Sequence, residues 1–156
     1  MIDPDIAAEL TPDERERVAR LMTAKYFAFQ QRYKDAPDDF TRQCFDWPAR
    51  EVPHPYQLDI LRQIPIVKRE SVRALHGVGK STTAAQAVIW FALTRDGWTD
   101  WKIPTTASAW RQLEKYLWPE IHKWITRLRW DRIGLERPAI AGAAAACGLL
   151  AHHSDP

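Results

Sequence analysis

Apolar positions recur at helical spacing along the first third of the chain. Val18, Met22, Tyr26, Phe29 and Tyr33 follow steps of four and three with charges between them, which predicts an amphipathic helix ending near Lys34. Its start is marked by Thr11-Pro12-Asp13-Glu14: a hydroxyl cap, proline at the first helical position, and a glutamate three residues on that reaches back. After Asp35-Ala-Pro-Asp-Asp39, the residues from Phe40 to Trp47 predict a short helical piece. Pro48, Pro53 and Pro55 then impose an extended connection. Pro55 opens a helix over Tyr56–Ile64, with Leu58, Leu61 and Ile64 inward, and Pro65 closes it.

A different rhythm follows. Ser71-Val-Arg-Ala-Leu75 predicts a short buried strand, and Trp101-Lys-Ile-Pro-Thr-Thr-Ala107 a second, irregular near Pro104. Between them, Ala84 to Leu93 is apolar on all sides and predicts a buried helix, closed by Arg95-Asp96-Gly97. A strand, helix and strand of this length predict a right-handed βαβ unit with both strands parallel in one sheet. The expected class is therefore α/β: a partial parallel sheet with flanking helices and an N-terminal helical segment. From Ser108 a second stripe runs through Trp110, Leu113, Leu117, Ile121, Trp124 and Leu128 as one apolar face. Pro119 removes a hydrogen bond from it and predicts a kink or break near Trp118. The outer face carries Arg111, Lys115, Lys123, Arg127, Arg129 and Arg132 against Glu114, Glu120 and Asp131. Such a face is either solvated or meets DNA phosphates.

Composition narrows the picture little. A chain of 156 residues with 46% apolar and 27% charged residues is an ordinary globular domain, and a net charge of +2 selects no partner. Cys44 and Cys147 lie far apart and form no metal-ligand spacing, so the expected setting is a reducing cytoplasm without a membrane span. Eight tryptophans, mostly in helical segments, predict packing roles. One shift is abrupt: from Pro138 to Ser154 there is no Asp, Glu, Lys or Arg. The expected organisation is an N-terminal helical segment at 1–47, a partial domain at 48–137 and an atypical apolar tail at 138–156. A shifted reading frame or truncation accounts for the tail most simply; a small apolar helix docked on the sheet is the alternative.

Chemistry concentrates in Arg73-Ala-Leu-His-Gly-Val-Gly-Lys-Ser-Thr-Thr83. Gly77 and Gly79 let the backbone turn so that successive N–H groups of His76, Gly77, Val78 and Gly79 converge on one hollow. Lys80 follows, placed to reach β- and γ-phosphate oxygens. Ser81 offers a hydroxyl to Mg2+, and Thr82 continues into a helix whose N-terminus adds partial positive charge. The candidate cofactors are ATP and Mg2+. The pattern Gly-x-x-x-x-Gly-Lys-Ser/Thr is incomplete, since Ala74 stands where its first glycine belongs. The bland alternative is a glycine-containing strand-to-helix turn with a chance lysine. Upstream, Gln57 in Pro55-Tyr-Gln has an amide suited to the N6 and N7 edge of adenine, or it is an ordinary first-turn residue.

Three blocks in order resemble the N-terminal ATPase half of tailed-bacteriophage large terminases, which are P-loop NTPases with a RecA-like sheet. They are His76-Gly-Val-Gly-Lys-Ser-Thr-Thr-Ala-Ala85, Trp101-Lys-Ile-Pro-Thr-Thr-Ala-Ser-Ala-Trp-Arg-Gln-Leu113 and Leu117-Trp-Pro-Glu-Ile121. Pro55-Tyr-Gln57 resembles the adenine-side motif of that family and of related helicases. The resemblance implies an ATP-driven motor that packages double-stranded DNA, a ring oligomer on a portal protein, a small terminase subunit as partner, and a separate nuclease domain. It assigns Gln57 to adenine, His76 to Ser81 to phosphates and Ser81 to magnesium. His76 stands where many large terminases place an arginine, and the acidic strand motif, the water-activating glutamate and the nuclease carboxylates lie beyond what this chain contains. Asp131 and Glu136 are its last carboxylates before the tail. The chain is therefore expected to bind nucleotide weakly and to turn none over. A helicase-like NTPase fragment and a non-catalytic nucleotide-binding or interaction protein are the competing readings.

Overall fold

The computed structural model describes residues 11–49, 51–67, 69–96 and 101–135, without the side chains of residues 15, 18 and 19. Helix α1 is Pro12–Tyr33. The Thr11 hydroxyl accepts from the Glu14 N–H at 3.4 Å, while the Glu14 carboxylate accepts from the Thr11 N–H at 2.8 Å. Helix α2 is Pro37–Cys44 and α3 is Pro55–Gln63, each opened by proline, whose missing N–H costs nothing in a first turn. Helix α4 is Lys80–Arg95. A short α5, Trp110–Gln112, runs into a π-helical turn at Leu113–Leu117 and then into α6, Trp118–Thr126. Helix α7, Trp130–Ile133, ends on Gly134 with φ +84°.

Helix α4 lies at the centre, against α1, α2, α3 and α6. Its all-round apolar sequence explains this: Ala85, Val88, Ile89, Trp90, Ala92 and Leu93 are all buried. The Trp90 indole N–H donates to the Tyr33 carbonyl at 2.6 Å. Beside it an edge-on aromatic series joins Phe29 to Phe40 (6.1 Å), Phe40 to Phe45 (5.3 Å) and Phe45 to Trp124 (5.2 Å). Such pairs add about 0.5–1.5 kcal/mol each beyond the area they bury. An isolated antiparallel bridge, Phe45 to Leu128, fastens the end of α2 to the end of α6; the Arg129 N–H donates to the Cys44 carbonyl at 2.8 Å. Burial pushes the Cys44 thiol up to about 11 and the adjoining Tyr33 hydroxyl up to about 12, so neither ionises in this core at neutral pH.

The expected α/β class with its RecA-like parallel sheet is overturned. Among the described residues there is no strand and no sheet; the fold is helical. Residues 71–75 and 101–107 are non-helical, as expected, but neither enters a ladder. A strand is stabilised by a neighbour that takes its N–H and C=O groups and covers its faces. Here every residue from Ser71 to Gly77 is exposed, Leu75 at 81%. The apolar faces of α4 are covered by helices instead. The N-terminal helical segment is present as α1 and α2.

The second stripe holds in part. Leu113, Ile121, Trp124 and Leu128 are buried, but Trp110 is 60% exposed. The interruption expected at Pro119 takes the form of the π turn immediately before it, where the backbone accommodates a residue that cannot donate. Gly97, Glu136, the tail at 138–156, Cys147 and the expectations attached to them lie outside the described residues.

Candidate phosphate-binding site

The site is the entry to α4. Gly77 and Gly79 have φ of +77° and +83°, the left-handed region that glycine enters without strain. Gly79 caps the helix: its carbonyl accepts from the Thr83 N–H at 2.9 Å and from the Thr83 hydroxyl at 3.1 Å. The N–H groups of Lys80, Ser81 and Thr82 therefore sit in the first turn, where no preceding helical carbonyl can take them. The Lys80 ammonium folds back onto the carbonyls of Ala74 (2.8 Å) and Leu75 (2.5 Å). It is thus held at the loop by two neutral acceptors, against which a charged oxygen such as that of a phosphate would compete. His76, Gly77 and Ser81 are exposed; Val78, Gly79, Lys80 and Thr82 are half-buried.

Gln57 meets this loop. It is buried at the start of α3, and its amide nitrogen lies 3.4 Å from the Gly79 carbonyl, a long donor contact. Its amide oxygen accepts from the His54 N–H at 2.9 Å. The approach is close enough that a Cβ on Gly79 would stand 2.5 Å from the Gln57 amide nitrogen. Gly79 is thus required twice, by its dihedral and by its neighbour, whereas Gly77 has nothing within 4 Å of such a Cβ. Both ends of the Gln57 amide are engaged, so contact with a base would use its second N–H or the second lone pair of its oxygen. The Tyr56 ring stacks on His54 with centroids 5.9 Å apart, beside the same edge.

A third contributor was not singled out for this site in the sequence. Glu120 of α6 accepts from the Thr82 hydroxyl at 2.6 Å and from the Trp124 indole N–H at 2.9 Å, and the Lys123 ammonium is 3.5 Å away. Burial alone pushes its carboxyl upward; the bonds from Thr82 and Trp124 and the Lys123 charge outweigh that and hold it below the ordinary 4.5. Thr82 and Glu120 are 38 residues apart, and no local pattern pairs them.

Magnesium bound with a nucleotide takes most ligands from phosphate and water, so the exposed Ser81 hydroxyl fits as one protein ligand. Among the described residues no group of three or more His, Cys, Asp or Glu could hold a metal by itself. Of the basic face, Lys123 faces Glu120, Arg127 meets Glu51 at 3.0 Å and Arg129 lies 4.0 Å from Asp131. An open depression of about 580 Å3 is lined by Asp46, Arg127, Arg129 and Asp131 among others; its lining includes no residue of the glycine loop. No helix among the described residues is long and apolar enough to cross a membrane. Comparison with family models, with curated proteins and with solved structures returned no match.

Proposed function

We propose that residues 76–82 bind the polyphosphate of ATP with Mg2+, as the ATP-binding part of a DNA-packaging motor of the large-terminase kind. The observation that carries this reading is the seating of Gln57 against Gly79, which joins two separately recognised nucleotide motifs at one place. Two left-handed glycines, a lysine tethered by two main-chain carbonyls and the first turn of a 16-residue helix supply the donors a polyphosphate needs. The partners that follow from the resemblance are double-stranded DNA, a portal protein, a small terminase subunit and further copies in a ring, in the cytoplasm of a bacterial host. A second reading, nucleotide binding without turnover, is favoured by the exposure of residues 71–77, which enter no ladder among the described residues.

Isothermal titration with Mg-ATP and Mg-GTP tests the reading. Lys80→Ala should weaken ATP at least about tenfold, since it removes a charged donor. Gln57→Ala should weaken ATP more than GTP, because guanine presents O6 where adenine has its amino group. An affinity unchanged in Lys80→Ala would overturn the phosphate assignment, and equal losses for the two nucleotides would leave Gln57 a structural residue. Phosphate release measured on the same samples separates the motor reading from binding alone.

A further inference from the structure

One carboxylate oxygen ties the phosphate loop's helix to the aromatic core. Glu120 Oε1 takes the Thr82 hydroxyl at 2.6 Å, the Trp124 indole N–H at 2.9 Å and faces the Lys123 ammonium at 3.5 Å. A carboxylate oxygen offers about two lone-pair directions, so three donors compete for one acceptor and none of these bonds is independent of the others. Thr82 is the third residue of α4, in the turn whose N–H groups would face a phosphate. Trp124 is 2% exposed and packed between Phe45 (5.2 Å) and Trp47 (4.6 Å), where it has little freedom except in how strongly it bonds.

We infer that Glu120 is a positioning residue that transmits the occupancy of the phosphate loop from Thr82 to Trp124. The inference rests on the nucleotide reading above and adds its coupling to the second helical layer. An anion at the head of α4 competes for the Lys80 ammonium and polarises the first turn. The Thr82 hydroxyl, in that turn, then changes its hold on Glu120, and the share of Oε1 left to Trp124 changes with it. A charge is needed for this, since hydrogen bonds to ionised groups run at about twice the strength of neutral ones. At neutral pH the carboxyl is ionised, held so by the donors around it.

The experiment is a titration of the full chain with Mg-ATP, followed by the Trp124 indole N–H resonance, assigned by its loss in Trp124→Phe. Nucleotide affinity is taken from calorimetry on the same samples. The resonance should shift in step with saturation. Thr82→Val keeps the main-chain N–H through which residue 82 would meet phosphate and removes the hydroxyl; compared at equal saturation, set from its own calorimetric affinity, the shift should be lost. In the near-isosteric Glu120→Gln the resting resonance should move upfield and ATP affinity fall roughly three- to tenfold. A Trp124 resonance that stays still while ATP saturates the protein, or that shifts equally in Thr82→Val, overturns the inference and leaves the nucleotide reading standing. Absence of ATP binding by the unaltered chain overturns both. Circular dichroism checks that each variant keeps its helices; if Glu120→Gln loses them, the Thr82→Val comparison decides alone.

Discussion

The helical core and the glycine loop are built from opposite materials. Around Trp90 and Trp124, polar atoms are mostly consumed and side chains interlock: the Trp90 indole is satisfied by Tyr33, Trp124 by Glu120, and Phe29, Phe40 and Phe45 bridge between helices. At the loop, residues 71–77 are exposed, two glycines are left-handed and the lysine is held by the main-chain carbonyls of Ala74 and Leu75. Stability resides in the first region and unspent hydrogen-bonding capacity in the second. The lesson is that the site is supported from one side, by α4, Gln57 and Glu120, while residues 71–77 and 101–107 enter no ladder among the described residues. Such a region belongs to the low-stability end of a fold.

The contrast can be broken most directly in the core. Trp124→Ala removes a fully packed indole and should cost about 3–5 kcal/mol. Thermal unfolding should show a fall in Tm of roughly 6–20 °C, at about 2–4 °C per kcal/mol for a chain of this length. A fall of only a few degrees would mean that the aromatic series is not what holds the helices together.

Gly79→Ala probes the seam between the regions. The left-handed dihedral costs about 1–2 kcal/mol, and the new methyl must also displace the Gln57 amide. Gly77→Ala carries only the dihedral cost. A larger stability loss for Gly79→Ala than for Gly77→Ala is therefore expected in denaturant titrations. Equal losses would remove the Gln57 contact from the description.

A gain is also expected. The Thr41 hydroxyl is buried with no hydrogen-bond partner among the described residues, whereas its carbonyl accepts from the Trp47 indole at 2.8 Å. Thr41→Val keeps the shape and the carbonyl, removes the unpaired hydroxyl, and should stabilise by roughly 1 kcal/mol. A loss of stability would show that the hydroxyl bonds a buried water.

The smallest effect concerns pH. The Glu120 carboxyl lies below its ordinary 4.5 in the folded chain, so its contribution is present above that value and disappears as pH falls through the folded one. In Glu120→Gln the part of the acid loss of Tm that begins below about pH 4.5 should be missing, while Tm above pH 6 changes little with pH in either protein. Parallel acid profiles for the two proteins would count against the Thr82 and Trp124 bonds as drawn.

What was legible in the sequence was what neighbours along the chain decide. Thr11 with Glu14, Pro55 at a helix start, Gly79 before Lys80 and the all-round apolar run in α4 each predict their element by local chemistry alone; the short helix expected over Phe40 to Trp47 instead begins at Pro37 and ends at Cys44. Strands at 71–75 and 101–107 were not decidable that way. Val72 and Leu75 suit a strand, but a strand exists only where another lies beside it, and among the described residues none does. The site divides similarly. Gln57 and the loop were separately visible; their contact was not, and Glu120 stood out only as an outer-face charge and as part of a Leu-Trp-Pro-Glu block, 38 residues from Thr82 along the chain.

The π turn at Leu113–Leu117 fixes the rotational phase of everything before it. Counting back from Ile121 along an unbroken α-helix at about 100° per residue, Trp110 would lie roughly 20° from the buried line and Leu113 roughly 80°. Five residues of π geometry each under-rotate by about 20°, and together they restore roughly 80–100°. Leu113 is brought onto the buried line and Trp110 is carried off it, in agreement with exposures of 8% and 60%. A wide turn of this kind is equivalent to one inserted residue. Deleting one residue between Leu113 and Leu117 would let the segment close as plain α-helix without changing that phase: Leu113, then seven residues from Ile121, would stay about 20° from the buried line and Trp110, ten residues away, about 80° from it. The extra residue is absorbed within one turn, and only straightening that turn at its present length would carry Leu113 outward and bring Trp110 in.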